Sequence, residues 1–179
     1  MPSLNESFDF PDPDHVVPAA IGEPGRRVFS IQIHQAGDVV ALKCEKQQMI
    51  ALAEHLEALV ADLPPASAAE LGEAADLEPA WAIGVLGLAY DRDLDRVVVM
   101  AQEVQVIEEG DAEGDEDPTA ELDPDAATAR IAMTRGQARR FIDTAVELVG
   151  AGRPTCPICG RPMDPAGHVC PRSNGHSPH

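Results

Sequence analysis

Four residues close to the C-terminus have the types and the spacing of a zinc site. Cys156 and Cys159 belong to a Cys-Pro-Ile-Cys-Gly segment, and His168 and Cys170 follow shortly after it. Two thiolates separated by two residues can turn toward one ion, and Gly160 permits the tight turn that this requires. Zinc prefers four soft or borderline ligands in a tetrahedron. The sequence therefore predicts a structural Cys3His zinc site with these four ligands.

Other interpretations of the same residues are open. His176 is an alternative to His168 as the fourth ligand. A thioredoxin-like redox pair would lie at a strand-to-helix junction of a βαβ unit, whereas Cys156 and Cys159 follow the predicted end of a helix and are flanked by prolines. A catalytic zinc ion usually keeps one coordination position open. Because four candidate ligands lie in so short a segment, a closed structural site is favoured.

The tail is a small basic region on a very acidic chain. The tail contains three arginines, Arg153, Arg161 and Arg172, and one acid, Asp164. The whole chain has 31 acidic and 13 basic residues and a net charge of -18. Such a charge repels phosphate backbones and anionic membrane surfaces. We therefore expect the tail to dock either on the acidic body of its own chain or on a protein partner, with no membrane and with nucleic acid disfavoured. A nucleic-acid accessory role for the three arginines is the second alternative.

The cysteine pattern and the first residues of the chain indicate a cytoplasmic protein. Three of the four cysteines fall in the tail and Cys44 stands alone, whereas a disulfide framework would spread its cysteines over the fold. Residues 1–14 have neither the basic region nor the apolar stretch of a signal peptide, and no apolar run is long enough to span a membrane. We expect Cys44 to be a small buried side chain.

The hydrophobic periodicity predicts an α+β body over residues 1–152 and a zinc-binding tail over 153–179. Apolar residues alternate in several short segments and recur every three or four residues in two others. This pattern predicts an antiparallel sheet of about five to seven strands with two amphipathic helices on one face. Residues 64–79, rich in Ala, Glu and Pro, are predicted to be a flexible linker, and the acidic residues 108–126 a solvated loop.

A weak internal repeat links the two predicted helices. At an offset of 89 positions, Gln48 aligns with Gln137 and Leu52 aligns with Phe141. Thr134 followed by Gln137 also predicts a capping box at the start of the second helix. Each half is thus predicted to contain antiparallel strands followed by one helix.

Arg26 and Arg27, which follow a Pro-Gly turn, form a second candidate site, for an anion. Paired arginines suit phosphate or carboxylate groups, and Glu23 and residues 91–95 are candidate neighbours. The corresponding function is an enzyme or binding protein for a small anionic or phosphorylated metabolite. The motifs of phosphate-binding loops, dinucleotide sites, zinc proteases and serine hydrolases do not occur in the sequence. The favoured hypothesis is therefore a non-catalytic adaptor or binding module, with an enzyme as the alternative.

Three segments also carry a family resemblance: 22–29, 151–160 and 164–175. Through them the chain resembles a family of uncharacterised actinobacterial proteins, a domain of unknown function, over nearly its whole length. Relatives usually have no cysteine at the position of Cys44, which implies that this residue is not a metal ligand. Members tend to be encoded near a kinase-like protein of the phosphoinositide-kinase type and near a histidine phosphatase. The resemblance implies a candidate protein partner and no particular reaction.

Overall fold

The computed structural model describes residues 6–23, 25–104, 125–151, 156–159, 163 and 170. It confirms the predicted α+β class, because four strands and a helix are followed by three strands and a second helix. The elements are β1 (Phe8–Phe10), β2 (His15–Ile21), β3 (Val28–Gln35), β4 (Asp38–Cys44), α1 (Lys46–Ala61), β5 (Trp81–Asp91), β6 (Arg96–Glu103), β7 (Thr128–Met133) and α2 (Arg135–Gly150).

The seven strands form one mixed sheet in the order β1-β7-β6-β5-β4-β3-β2. Most neighbours are antiparallel, as predicted, but β1 pairs with β7 and β4 pairs with β5 in parallel. The second parallel pair exists because α1 and the segment after it carry the chain from the end of β4 back to the start of β5. A long crossover of this kind is what two parallel neighbours require.

The sheet must curl strongly, because its two edge strands are consecutive in the chain. Only residues 11–14 separate the end of β1 at Phe10 from the start of β2 at His15. A link of this length spans at most about 18 Å, at 3.3–3.6 Å per residue. Six strand spacings in a flat sheet would separate the two edges by about 29 Å. The curvature is therefore imposed by the chain connection itself.

The structure confirms the internal repeat and extends it to the strands. Each half contains three strands and a helix, β2-β3-β4-α1 and β5-β6-β7-α2, and the two helices are each 16 residues long. Their first residues, Lys46 and Arg135, are 89 positions apart. Strand pairs correspond as well, since Phe29 pairs with Cys44 in the first half and Val97 pairs with Met133 in the second.

The repeat also explains why β1 and β2 lie at opposite edges. Leu42 on β4 pairs with Trp81 on β5, and Ile131, 89 positions after Leu42, pairs with Phe10 on β1. In the second half, β5 continues past a bulge between Ile83 and Val85 and pairs with β6. The corresponding strand of the first half is interrupted by residues 11–14: β1 pairs with β7 before the interruption, and β2 pairs with β3 after it. Together, β1 and β2 occupy the place that β5 alone has in the other half.

One hydrophobic core joins the helices to a single face of the sheet. The core-facing positions of each helix recur every three or four residues, and those of the strands alternate, as the sequence predicts. Among the described residues, no helix is long and apolar enough to cross a membrane. The largest fully buried core side chains from both halves are Phe141, Ile31, Ile33, Leu42, Met49, Leu56, Ile131, Met133 and Ile142.

Residues 64–79 contain no helix or strand, yet they contact defined positions of the body. Ala75 exchanges two hydrogen bonds with the Gln32 side chain, which donates to the Ala75 carbonyl at 2.7 Å and accepts from its N–H at 2.9 Å. The Gln32 side chain is buried. At the other end of the segment, Ser67 lies against Gly136 in the first turn of α2. The segment therefore crosses from the helices to the opposite face of the sheet.

Gly136→Ala is expected to destabilise the protein, although alanine favours helix by about 1 kcal/mol over glycine. A Cβ at Gly136 would lie 2.2 Å from the Ser67 carbonyl oxygen, so backbone would have to move. We expect a net loss of about 1–3 kcal/mol in the free energy of unfolding, the range of overpacking substitutions. Urea denaturation measures it.

Gly150→Ala is the matched control, because a Cβ at Gly150 has no atom within 4 Å. This variant is expected to be neutral or slightly stabilised. If both alanine variants were equally stable to urea, the close contact between Ser67 and Gly136 would not exist in solution.

Candidate metal centre

Three of the four predicted zinc ligands lie together in the structure. The sulfur atoms of Cys156, Cys159 and Cys170 are all within 4.8 Å of one another. The Sγ atoms of Cys156 and Cys170 are 3.8 Å apart, and both side chains are buried. Cys159 is partly exposed. The turn at Cys156–Cys159 thus faces a cysteine that is fourteen residues further along the chain.

The separation between the Cys156 and Cys170 sulfur atoms fits a tetrahedral metal ion. With zinc–sulfur bonds of about 2.3 Å, two thiolates of a tetrahedron lie about 3.8 Å apart. This equals the observed separation between Cys156 and Cys170. A disulfide would bring the two sulfur atoms to about 2.05 Å. None of these three cysteines forms a disulfide, and their arrangement could hold one ion.

The remaining predicted tail residues lie outside the described part of the chain. These are the fourth ligand His168, its alternative His176, and the basic residues Arg153, Arg161 and Arg172. The acidic loop predicted over 108–126 is also outside it, except for its last two residues.

Cys44 lies apart from the three tail cysteines, in the hydrophobic core. Its side chain is 4% exposed and belongs to the strand β4, facing the helices. Burial, and to a lesser degree the neighbouring Glu45 carboxylate, raises the pKa of the Cys44 thiol to about 12. A thiol this hard to ionise is neither a nucleophile nor a metal ligand at neutral pH. The predicted role as a small buried side chain is confirmed.

The two arginines of the predicted anion site have different surroundings. The Arg27 guanidinium donates to the Ala151 carbonyl at 3.1 Å, at the C-terminal end of α2. Carbonyl groups at a helix end have no partner within the helix, so a cation there is favourable. The Arg26 N–H donates to the Glu23 carbonyl and closes the turn between β2 and β3. Arg27 thus joins this turn to the base of the C-terminal tail.

The aspartates proposed as neighbours of these arginines lie in the turn between β5 and β6. One of them, Asp95, accepts hydrogen bonds from the Arg135 guanidinium at 2.8 and 2.9 Å and from the Tyr90 hydroxyl at 2.6 Å. Arg135 is the first residue of α2. The described hydrogen bonds therefore give Arg27 and Asp95 separate partners. Sequence analysis could not find the pairing of Asp95 with Arg135, because the residues are 40 positions apart.

These contacts shift the titration of all three side chains. The hydrogen bond from Arg135, followed by that from Tyr90, lowers the pKa of Asp95 below its usual range. The hydrogen bond between Tyr90 and Asp95 also raises the pKa of the Tyr90 hydroxyl. A carboxylate whose pKa is lower in the folded state binds protons more weakly there than in the unfolded state. Its contribution to stability is present above the unfolded-state pKa and is lost as the pH falls through the folded-state pKa.

Asp95→Asn is accordingly expected to reduce stability at neutral pH and to lose this effect in acid. The difference in melting temperature between the wild type and Asp95→Asn should shrink as the pH falls through the carboxyl range. Thermal unfolding across that range measures it, with the exposed Asp93→Asn as the control. A difference that stayed constant with pH would show that the Asp95 charge does not act through these bonds.

The fold and the cysteine cluster together define a mixed α+β protein with a candidate metal centre in its C-terminal tail. The chain belongs to the family described as DUF3090, protein of unknown function, whose profile matches residues 8–170. This confirms the resemblance to an unknown-function family over nearly the whole chain. The match extends to Cys170, so the cysteine cluster lies within the family domain. No curated protein and no solved structure matches the chain significantly.

Proposed function

We propose that this protein is a non-catalytic binding protein whose tail is ordered by a structural zinc ion. The proposed ligands are Cys156, Cys159, Cys170 and His168. The observation that carries the proposal is the cluster of three thiols, with two sulfur atoms 3.8 Å apart. Thiolates and imidazole are soft or borderline ligands, which favours zinc over magnesium, calcium or manganese.

A structural role for the ion is favoured over a catalytic one. With His168 as the fourth ligand the coordination shell is closed, whereas catalytic zinc needs a position for water or substrate. The tail is short and polar, so it buries little apolar surface, and metal binding would supply much of its folding free energy. Three clustered cysteines that form no disulfide also suit a reducing compartment, which supports a cytoplasmic location.

The non-catalytic assignment is supported by how the body uses its perturbed ionisable groups. Strongly shifted pKa values mark many active sites. Here Asp95 bonds Arg135 and Tyr90 and thereby joins a turn to a helix, and Cys44 lies in the core. His34, whose pKa is lowered mainly by burial, packs edge-on against His15. Asp95 and Cys44 therefore have structural uses.

A stable protein partner is the expected consequence of this function. The kinase-like protein that family members tend to be encoded beside is our first candidate. Tagged full-length protein, purified with zinc, should capture one stoichiometric partner from extracts of its own cells, identified by mass spectrometry. Protein with Cys170→Ser is the control for the contribution of the tail. Repeated absence of any stoichiometric partner would count against a binding function.

A further inference from the structure

Among the residues that the structure describes, no strand covers one edge of β5 beyond Ala82. Within the described residues, β4 pairs with β5 only at Trp81 and Ala82. Beyond the bulge, β5 pairs only with β6, on one side. The Gln48 side chain donates to the Ile83 and Gly84 carbonyls where the free edge begins.

The direction of the peptide groups along this edge follows from the neighbouring ladder. The Glu103 N–H donates to the Ala127 carbonyl, toward β7. Peptide groups alternate in direction along a strand, so those of Ala101 and Val99 also point toward β7. Their partners on β5 are Leu86 and Leu88. The peptide groups of these two leucines therefore point away from β6, into the free edge.

An open apolar groove lies along this edge, between β5 and α1. Its volume is about 650 Å³. The groove exists because both of its walls carry small residues, Ala51 and Ala58 on α1 and Gly84 and Gly87 on β5. Leu52 and Leu59 also line it. None of the described residues that line it is an acid, a lysine or an arginine. The groove can therefore take apolar side chains beside an unpaired strand.

The first half of the molecule shows the position that corresponds to this edge closed. Pro18 pairs with Ile31, two residues after Phe29, and Leu88 pairs with Val99, two residues after Val97. Pro18 is thus the counterpart of Leu88, and it has no N–H to offer at the free edge of β2. A proline on an edge strand is one way in which proteins prevent strand addition.

Burial differs between the two strands in the same sense. On β2, Val16 is 3% and Val17 is 2% exposed, whereas the corresponding Leu86 is only partly buried and Gly87 is exposed. Val85 is 47% exposed. In the described part of the chain, the β5 half therefore combines an accessible edge, an open groove and exposed apolar side chains, whereas the β2 half does not.

We infer that the groove between α1 and β5 binds an extended apolar peptide with basic flanks, which adds as a strand to the free edge of β5. Strand addition takes its affinity from main-chain hydrogen bonds and its specificity from pockets for alternate side chains. An uncharged groove on a chain with a net charge of -18 favours apolar contacts flanked by lysine or arginine. The same charge opposes a second copy of this chain as the occupant. The inference rests on the binding function proposed above.

The probe is a phage-displayed library of random dodecapeptides, selected on the full-length, zinc-containing protein. Enriched peptides should share alternating apolar residues and basic ends. A synthetic copy of one such peptide should protect the Leu86 and Leu88 amides from hydrogen exchange, as measured by NMR. The amides of Val85 and Gly87 are bonded to β6 already, so their exchange should change little.

Two substitutions test the edge and the groove separately. Leu88→Pro removes the edge donor and copies the residue that the fold tolerates at Pro18, so we expect about tenfold weaker peptide binding. Ala58→Trp fills the groove but leaves the residues of β5 unchanged, and it should weaken peptide binding at least as much. Val146→Trp, at an exposed position on α2, is the control and should bind like the wild type.

Several results would overturn the inference. These are no enriched peptide, enriched peptides that leave the Leu86 and Leu88 amides unprotected, or peptide binding that both Leu88→Pro and Ala58→Trp retain. Protection of these amides without peptide would overturn it too. If that protection grows with protein concentration, a second copy fills the edge; otherwise, another segment of the same chain does. Zinc content is measured separately, so a failure of the metal centre and a failure of the groove remain distinguishable.

Discussion

Replacing Cys159 or Cys170 with serine is expected to reduce bound zinc from about one ion per chain to a small fraction of that. Each substitution removes one of the clustered thiolates, and a hydroxyl is a far weaker ligand for zinc. Because metal binding and folding of the tail are coupled, the tail should also lose its order. Plasma mass spectrometry on protein purified without chelator measures the zinc, and limited proteolysis of the tail measures the order.

Cys44→Ala provides the matched control for these variants. This thiol is buried in the core and apart from the cluster, so its removal should leave the zinc content unchanged. It should instead lower the free energy of unfolding by about 1 kcal/mol, as expected for a small core deletion. Equal zinc loss in all three variants would mean that the metal depends on overall folding and not on the tail cysteines.

Gln137→Ala is expected to lower the free energy of unfolding by about 1–3 kcal/mol, since it removes half of a capping box and leaves partly buried backbone groups unpaired. The Gln137 side chain accepts from the Thr134 N–H at 2.8 Å. It also donates to the Pro13 and Asp14 carbonyls, at 2.7 and 3.1 Å. One side chain therefore starts α2 and fixes the interruption between β1 and β2. Urea denaturation measures the loss.

Gln48 is the counterpart of Gln137 in the other half and makes the same set of bonds. It accepts from the Glu45 N–H at 2.8 Å and donates to the Ile83 and Gly84 carbonyls at 3.0 and 3.3 Å. Because the bonds to the strand are longer, Gln48→Ala should cost less than Gln137→Ala. Gln137→Glu keeps the acceptor but removes the donor, so it should be as harmful as alanine. Neutral behaviour of all three variants would contradict this role for the two glutamines.

Local features of the sequence were sufficient to predict the helices and the class of fold. The apolar residues of α1 and α2 recur at helical spacing, and Thr134 with Gln137 forms the predicted capping box. The parallel pairing of β1 with β7 was not predicted. Phe8 pairs with Ala129, which is far away in the sequence. The three residues of β1 are too few for their hydrophobic pattern to specify a partner strand.

The candidate site shows the same division. Cys156 and Cys159 are close in sequence and Cys170 follows soon after, so residue type and spacing predicted the cluster. The contacts of residues 64–79 could not be predicted in this way, because Gln32 bonds the backbone of Ala75 and backbone groups are common to every residue. The composition there indicated a linker, and its fixed contacts arise from the tertiary fold.

X-ray absorption at the zinc edge, on full-length protein purified without chelator, tests the metal centre most directly. We predict one zinc per chain, with three sulfur ligands at about 2.3 Å and one nitrogen at about 2.0 Å. Absence of zinc, together with a Cys156–Cys159 pair that oxidises reversibly, would contradict the structural site and favour a redox role for the tail.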